Sequence, residues 1–167
     1  MPVPRKIRRR RPSSEVTVEQ THDAAVIAAM LEGAVTSAPA DATDSGECFL
    51  IAYVGDDPVG IAGVETEVDA ALMRPLFVVE RMRQRGVGAC LVSAVRRAAH
   101  TRGARVLYAI VPATLVHYFA RLGFTETSIS EFDEVLGQRS MLQRTKLDPA
   151  VCRPVRLDLS RDGLVER

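Results

Sequence analysis

The chain has 167 residues and a mass of 18.2 kDa, one domain's worth, and a chain of this length removes about 70% of its unfolded surface from water. Its net charge of +1 hides a partition: residues 1–11 hold five Arg, one Lys and no acid, a charge of +6, whereas the other 156 residues carry −5. The longest apolar run, eight residues from Ala24 to Leu31, falls far short of the ~20 a membrane span needs, and a chain with no Trp and 5% aromatic residues offers no base-stacking platform for nucleic acid.

Residues 1–14 are expected to form a disordered basic tail, because charge and proline leave nothing to bury. The Pro-Ser-Ser-Glu that follows is not the apolar core of a secretory signal. Val16–Val18 is a short β-type run. Thr21 is placed to cap a helix with Asp23 in its first turn, burying Ala24, Val26, Ile27, Met30 and Leu31. Gly33 to Gly46 reads as a loop or a weak short helix. Cys48–Val54 is a strand, Gly55–Pro58 a turn, and Val59–Asp69 the second arm of a hairpin. Ala71–Val79 is a third strand, with Pro75 marking an edge or a bulge.

The sharpest change in composition follows. Glu80–Gly88 is a polar, glycine-containing loop that opens a helix with Leu91, Val92, Val95, Ala98 and Ala99 on one face, stopped near Gly103. Arg105–Val111 is a nearly continuous apolar run, which suits a buried parallel strand. Thr114 is placed to cap a helix ending near Gly123, and Phe124–Ile129 begins another strand. Met141–Leu147 reads as the last core strand, and Val155–Leu159 alternates like an exposed strand suited to a sheet edge or a homodimer contact. Cys48, Cys90 and Cys152 are odd in number, far apart and without a CxxC pair, which argues against a disulfide framework or a metal site. Cys90 reads as core. The element order gives an α/β layer fold with a mixed sheet.

Chemistry should gather at the strand–loop–helix from Phe77 to Val95. A strand running through Arg83-Gln84-Arg85-Gly86-Val87-Gly88 into a helix presents a row of backbone N–H groups at the positive end of the dipole. Gly86 and Gly88 leave room for close approach, and Arg81, Arg83 and Arg85 add cationic donors. The pattern is that of a pyrophosphate cradle, and it is neither GxGxxG nor GxxxxGK[ST]. On the preceding hairpin, strand alternation puts Ile61, Gly63, Glu65, Glu67 and Asp69 on one face.

The spacing Arg83-x-x-Gly86-x-Gly88 resembles the acetyl-CoA loop of the GNAT acetyltransferase superfamily. Leu76-Phe-Val78 before it and Tyr118-Phe-Ala-Arg-Leu-Gly-Phe124 after it are similar to that family's flanking strand and later helix. The resemblance spans residues 15–148 and leaves 149–167 as a C-terminal extension. Within the superfamily, Val59-Gly-Ile-Ala-Gly-Val-Glu65 and Ala71-Leu-Met-Arg74 resemble the arsenic-resistance acetyltransferases and N-acetylglutamate synthase domains.

The resemblance implies a GNAT fold, whose mostly antiparallel sheet contains a splayed parallel pair, and acetyl-CoA as cosubstrate without a metal. It implies that the amides of Gln84, Arg85, Gly86, Val87, Gly88 and Ala89 hold the pyrophosphate, helped by Arg83, and that main-chain groups at Phe77 and Val78 bind the pantetheine arm. Glu65 is the first candidate for general base and Glu67 the second. Arg74 either binds a substrate carboxylate or pairs with one of these acids. Phe119 stands in the cofactor site, where many members carry a tyrosine that protonates the leaving thiolate. His117 is a lesser candidate. The activity implied is transfer of acetyl to a small, amino-acid-like amine in the cytoplasm. The alternatives are a protein- or RNA-associated acetyltransferase recruited by the basic tail, or a CoA-binding module that has lost catalysis.

Overall fold

The structure, a computed structural model, describes residues 15–34, 47–136 and 150–160. The basic tail, most of the Gly33–Gly46 loop and the strand expected at Met141–Leu147 lie outside the described residues. Seven strands form one sheet: β1 (Val16–Thr21), β2 (Glu47–Val54), β3 (Asp57–Glu67), β4 (Ala70–Val78), β5 (Val106–Pro112), β6 (Thr125–Glu126) and β7 (Cys152–Asp158). Their spatial order is β1-β2-β3-β4-β5-β7-β6. β4 and β5 run parallel, and every other neighbouring pair is antiparallel. The helices are α1 (Ala24–Gly33), α2 (Val87–Thr101), α3 (Val116–Arg121) and α4 (Ile129–Leu136). This is the mixed, mostly antiparallel GNAT sheet with one parallel pair.

Two helices cover each face of that sheet. On one face Val87, Leu91, Val92 and Val95 of α2, with Phe119 of α3, pack against Leu50, Ala52, Ala62, Val64, Met73 and Leu107. On the other, Met30 of α1 meets Phe49, Ile51 and Ile61, while Phe132 and Leu136 of α4 meet Leu72 and Tyr108. Successive strand residues point to opposite faces. β2 is apolar at every position from Cys48 to Ala52 because both of its faces are covered.

Several local expectations change. Asp23, not Thr21, caps α1: its Oδ1 accepts from the Ala25 and Val26 amides at 2.9 and 3.3 Å. Thr21 is still in β1, paired with Phe49, and its hydroxyl accepts from the Asp23 amide instead. Ala24 is exposed. Thr114 caps nothing, because a 3-10 turn over Ala113–Leu115 intervenes before α3, whose first turn has no side-chain cap. Cys90 is exposed; with Ser93 and Arg97 it lies on the outer side of α2, the side left over once Leu91 and Val92 face the sheet.

The strand expected at Phe124–Ile129 is only the two residues of β6, and α4 follows at once. Ser128 starts α4, its Oγ accepting from the Glu131 amide at 3.0 Å. Ser128-x-x-Glu131 is a helix-start signature legible in the sequence. Val155–Leu159 is no exposed strand: β7 lies between β5 and β6 and buries Val155 and Leu157. At Val155 and Arg156 both of its edges are occupied, so no free edge remains there for a second copy.

Candidate active site

The parallel pairing of β4 and β5 is short. It joins Ala70–Met73 to Val106–Ala109 and then stops, although Ile110–Pro112 continue to pair with β7. From Arg74 onward β4 leaves β5 and a wedge opens between them. The departure begins at an irregularity in the β3–β4 register between Ala62 and Val64. There Gly63 lies under the β4 main chain, so close that a Cβ on it would sit 2.3 Å from the Arg74 carbonyl oxygen. Only glycine lets the strands cross this way. Pro75 falls in the same stretch, where a missing N–H breaks no ladder.

Which β4 groups face the wedge follows from the antiparallel alternation. The Val79 amide donates to the Val59 carbonyl at 2.9 Å, and Phe77 stands opposite Ile61. Phe77 therefore turns its N–H and C=O to β3, while Val78 and Leu76 turn theirs to the wedge. Of the two residues expected to contact the pantetheine arm, Val78 presents its main chain there and Phe77 does not. Leu76, which the sequence did not single out as a contact, turns its main chain to the same side, as the alternation requires once the strand's neighbours are known.

At the top of the wedge the chain makes a 3-10 turn over Glu80–Met82 and enters α2. Gln84 and Gly86 both adopt left-handed backbone, φ 59° and 83°, which turns successive amides the same way. No side chain caps α2, and none of the amides of residues 84–89 donates to a turn or loop acceptor among the described residues. A Cβ on Gly86 would meet nothing within 4 Å. The three arginines diverge: Arg81 pairs with Asp57 at 2.7 Å, and Arg83 donates from Nε to the Val78 carbonyl at 2.9 Å. Arg85 is exposed and makes no ion pair with a described residue. A row of orphaned amides at a helix N-terminus, with one free guanidinium beside it, fits a pyrophosphate.

Glu65 and Glu67 lie on the opposite face of β3 from α2 and line a cleft with Leu72 and Leu136. Arg74 donates to Glu65 Oε2 at 3.0 Å, with both side chains about a quarter exposed. Of the roles considered for Arg74, the ion pair is the one present. Glu67 is half-buried, and its side chain has no ion pair or hydrogen bond among the described residues. Asp69 lies in the β3–β4 turn, beyond the strand. His117 is exposed on α3.

Phe119 is 3% exposed and packs edge-on between Tyr118 and Phe124, with ring centroids 5.4 Å apart on each side. It contributes a wall of the core and no hydroxyl. Its neighbour Tyr118 is half-buried and reaches the start of α2, where its oxygen would lie 3.0 Å from a Cβ on Gly88. Burial raises the Tyr118 pKa, opposed by the Arg121 charge.

A mixed sheet whose parallel strands part above an uncapped helix start defines the class as the GNAT acyltransferase fold. Residues 45–126, just under half of the chain, match the acetyltransferase (GNAT) domain family. No curated protein sequence matches the chain. Among solved structures it is similar to N-acetylglutamate synthase from Neisseria gonorrhoeae complexed with coenzyme A and L-arginine, with TM-score 0.67 and 20% identity over 87% of this chain and 34% of that one. It is also similar to the ribosomal-protein-S18-alanine N-acetyltransferase from Escherichia coli, with TM-score 0.66 and 16% identity over 92% and 99%. A GNAT acetyltransferase from Staphylococcus aureus gives 0.64 and 14% over 87% and 99%. At these identities the likeness is one of fold.

Proposed function

We propose that this protein is an acetyl-CoA-dependent N-acetyltransferase that acetylates a small, amino-acid-like amine by direct transfer. The observation that carries the reading is the β4–β5 wedge opening onto the unsatisfied amides of residues 84–89. Acetyl-CoA bound there supplies an activated acetyl group as a thioester. The loop amides and Arg85 hold the pyrophosphate, and the Val78 and Leu76 main chains continue along the pantetheine arm. An N–H of that pair donates to the thioester carbonyl, where negative charge grows as the amine attacks.

The acceptor must arrive as a neutral amine, whereas an alkylamine with a pKa near ~10 is mostly protonated at neutral pH. Glu67, beside Glu65 in the small cleft with Leu72 and Leu136 and with no side-chain partner among the described residues, takes that proton; the Arg74 bond to Glu65 makes Glu65 the second choice. With Phe119 in the tyrosine position, the leaving thiolate collects its proton from water, which a thiol pKa near ~8.5 makes tolerable. One guanidinium nitrogen of Arg74 is committed to Glu65, so a substrate carboxylate recognised by Arg74 would compete with Glu65 for it. The cytoplasm is the expected compartment. No described helix is long and apolar enough to cross a membrane.

The test is thiol release from acetyl-CoA against amino acids, their phosphinic and arsenic analogues, and polyamines. Turnover with at least one amine is expected. CoA binding without thiol release across the panel would move the reading to a CoA-binding module, for which the core position of Phe119 is the supporting observation.

A further inference from the structure

Tyr118 is a half-buried phenol whose ring is fixed and whose hydroxyl is not used. The ring stands edge-on to Phe119 with centroids 5.4 Å apart, and the Arg121 guanidinium lies 6.0 Å from its centre. The hydroxyl has no hydrogen-bond partner among the described residues. The hydroxyl is not sealed from solvent, so a ligand oxygen can take it by displacing water. Its oxygen occupies the space that a Gly88 side chain would fill, in the first turn of α2, beside amides that also lack acceptors.

The geometry points to Tyr118 as a phosphate ligand: its hydroxyl donates to the pyrophosphate of bound CoA, closing the cradle from α3 as the Arg83–Gly88 loop closes it from β4. The inference rests on the acetyl-CoA reading above. Two features favour the phosphate end over the sulfur end. The pantetheine arm, two amide units long, separates pyrophosphate from sulfur, and the wedge that takes it runs from Val78 down toward Met73, away from Gly88. The raised pKa keeps the phenol a protonated donor at neutral pH. Two of the three loop arginines are engaged elsewhere, by Asp57 and by the Val78 carbonyl, which leaves room for another donor. Gly88 then has a second reason to be glycine, since the absent side chain is the place the hydroxyl occupies.

Isothermal titration of wild type and Tyr118→Phe with CoA, 3′-dephospho-CoA and pantetheine tests this. Phenylalanine keeps the ring and its packing on Phe119. Losing one hydrogen bond to a charged group should weaken CoA and 3′-dephospho-CoA alike by roughly tenfold and leave pantetheine unchanged. Equal CoA affinity in the two proteins overturns the assignment and leaves the acetyl-CoA reading standing. A loss shared by pantetheine overturns it by moving the contact to the arm, and a loss that spares 3′-dephospho-CoA does so by moving it to the 3′-phosphate. A wild type that binds no CoA overturns both the assignment and the reading beneath it.

Discussion

Tyr108 and Tyr118 are both pushed above the ordinary tyrosine pKa, first by burial, yet they sit in opposite circumstances. Tyr108, on the closed part of β5, donates to Glu131 Oε1 at 3.1 Å. Glu131 also accepts from the Thr127 hydroxyl and pairs with Arg156, whose guanidinium lies 6.0 Å from the Tyr108 ring centre. That cluster fastens α4 to β5 and β7, and its polar groups are satisfied within the chain. Tyr118 and the loop amides beside it are not. The contrast teaches how to sort polar groups in this fold: those that already bond one another hold the structure, and those without a protein partner are the ones the proposed ligand would engage.

The largest effect that could break this contrast is at the loop. Gly86→Asp places a carboxylate against the incoming phosphates at a left-handed position, φ 83°. Titration calorimetry should register a loss of CoA affinity of about a hundredfold or more, several charge-assisted bonds being opposed at once. Retained micromolar affinity would defeat the cradle.

Next come the paired glutamates of β3. Glu67→Gln should lower kcat by ~10²-fold or more, the usual contribution of a general base, while CoA affinity by calorimetry stays at the wild-type value. The loss should shrink as pH rises toward the amine's own pKa, where no base is required. A pH-independent loss, or a larger one for Glu65→Gln, would return the role to Glu65.

The smallest effect sharpens the other half of the comparison. The Thr127 hydroxyl bond, ahead of Tyr108 and Arg156, holds the Glu131 carboxyl below its ordinary pKa. A carboxylate depressed in the folded state contributes stability that is present above its unfolded pKa and lost as pH falls through the folded value. Urea midpoints of wild type and Glu131→Gln should therefore differ at neutral pH and converge in acid. A constant gap down to pH ~2, below both carboxyl values, would show that the charge on Glu131 plays no part.

Much of this was legible in the residues. Two-sided burial wrote β2 and β5 as unbroken apolar runs, helical spacing wrote the inner face of α2, and the Arg83–Gly88 spacing marked the loop. The start of α4 was also written, as Ser128-x-x-Glu131, but Phe124–Ile129 offered a competing strand pattern. Cys90 was misplaced because one apolar residue among others does not announce its side of a helix. The position of β7 was not legible, since alternation reveals that a strand has two unlike faces and is silent on which strands flank it.

The sequence alone determined the class of fold and picked out the loop proposed as the anion cradle, because hydrophobic period and glycine spacing act over a few neighbouring residues. Only the tertiary structure decided that Arg74 pairs with Glu65 across a hairpin, that Leu76 and Val78 rather than Phe77 face the wedge, and that Tyr118 meets Gly88 from a separate helix. Each of these depends on strand register or on helix placement against the sheet. Such contacts join residues far apart in the chain, and packing chooses them only after every element is in place.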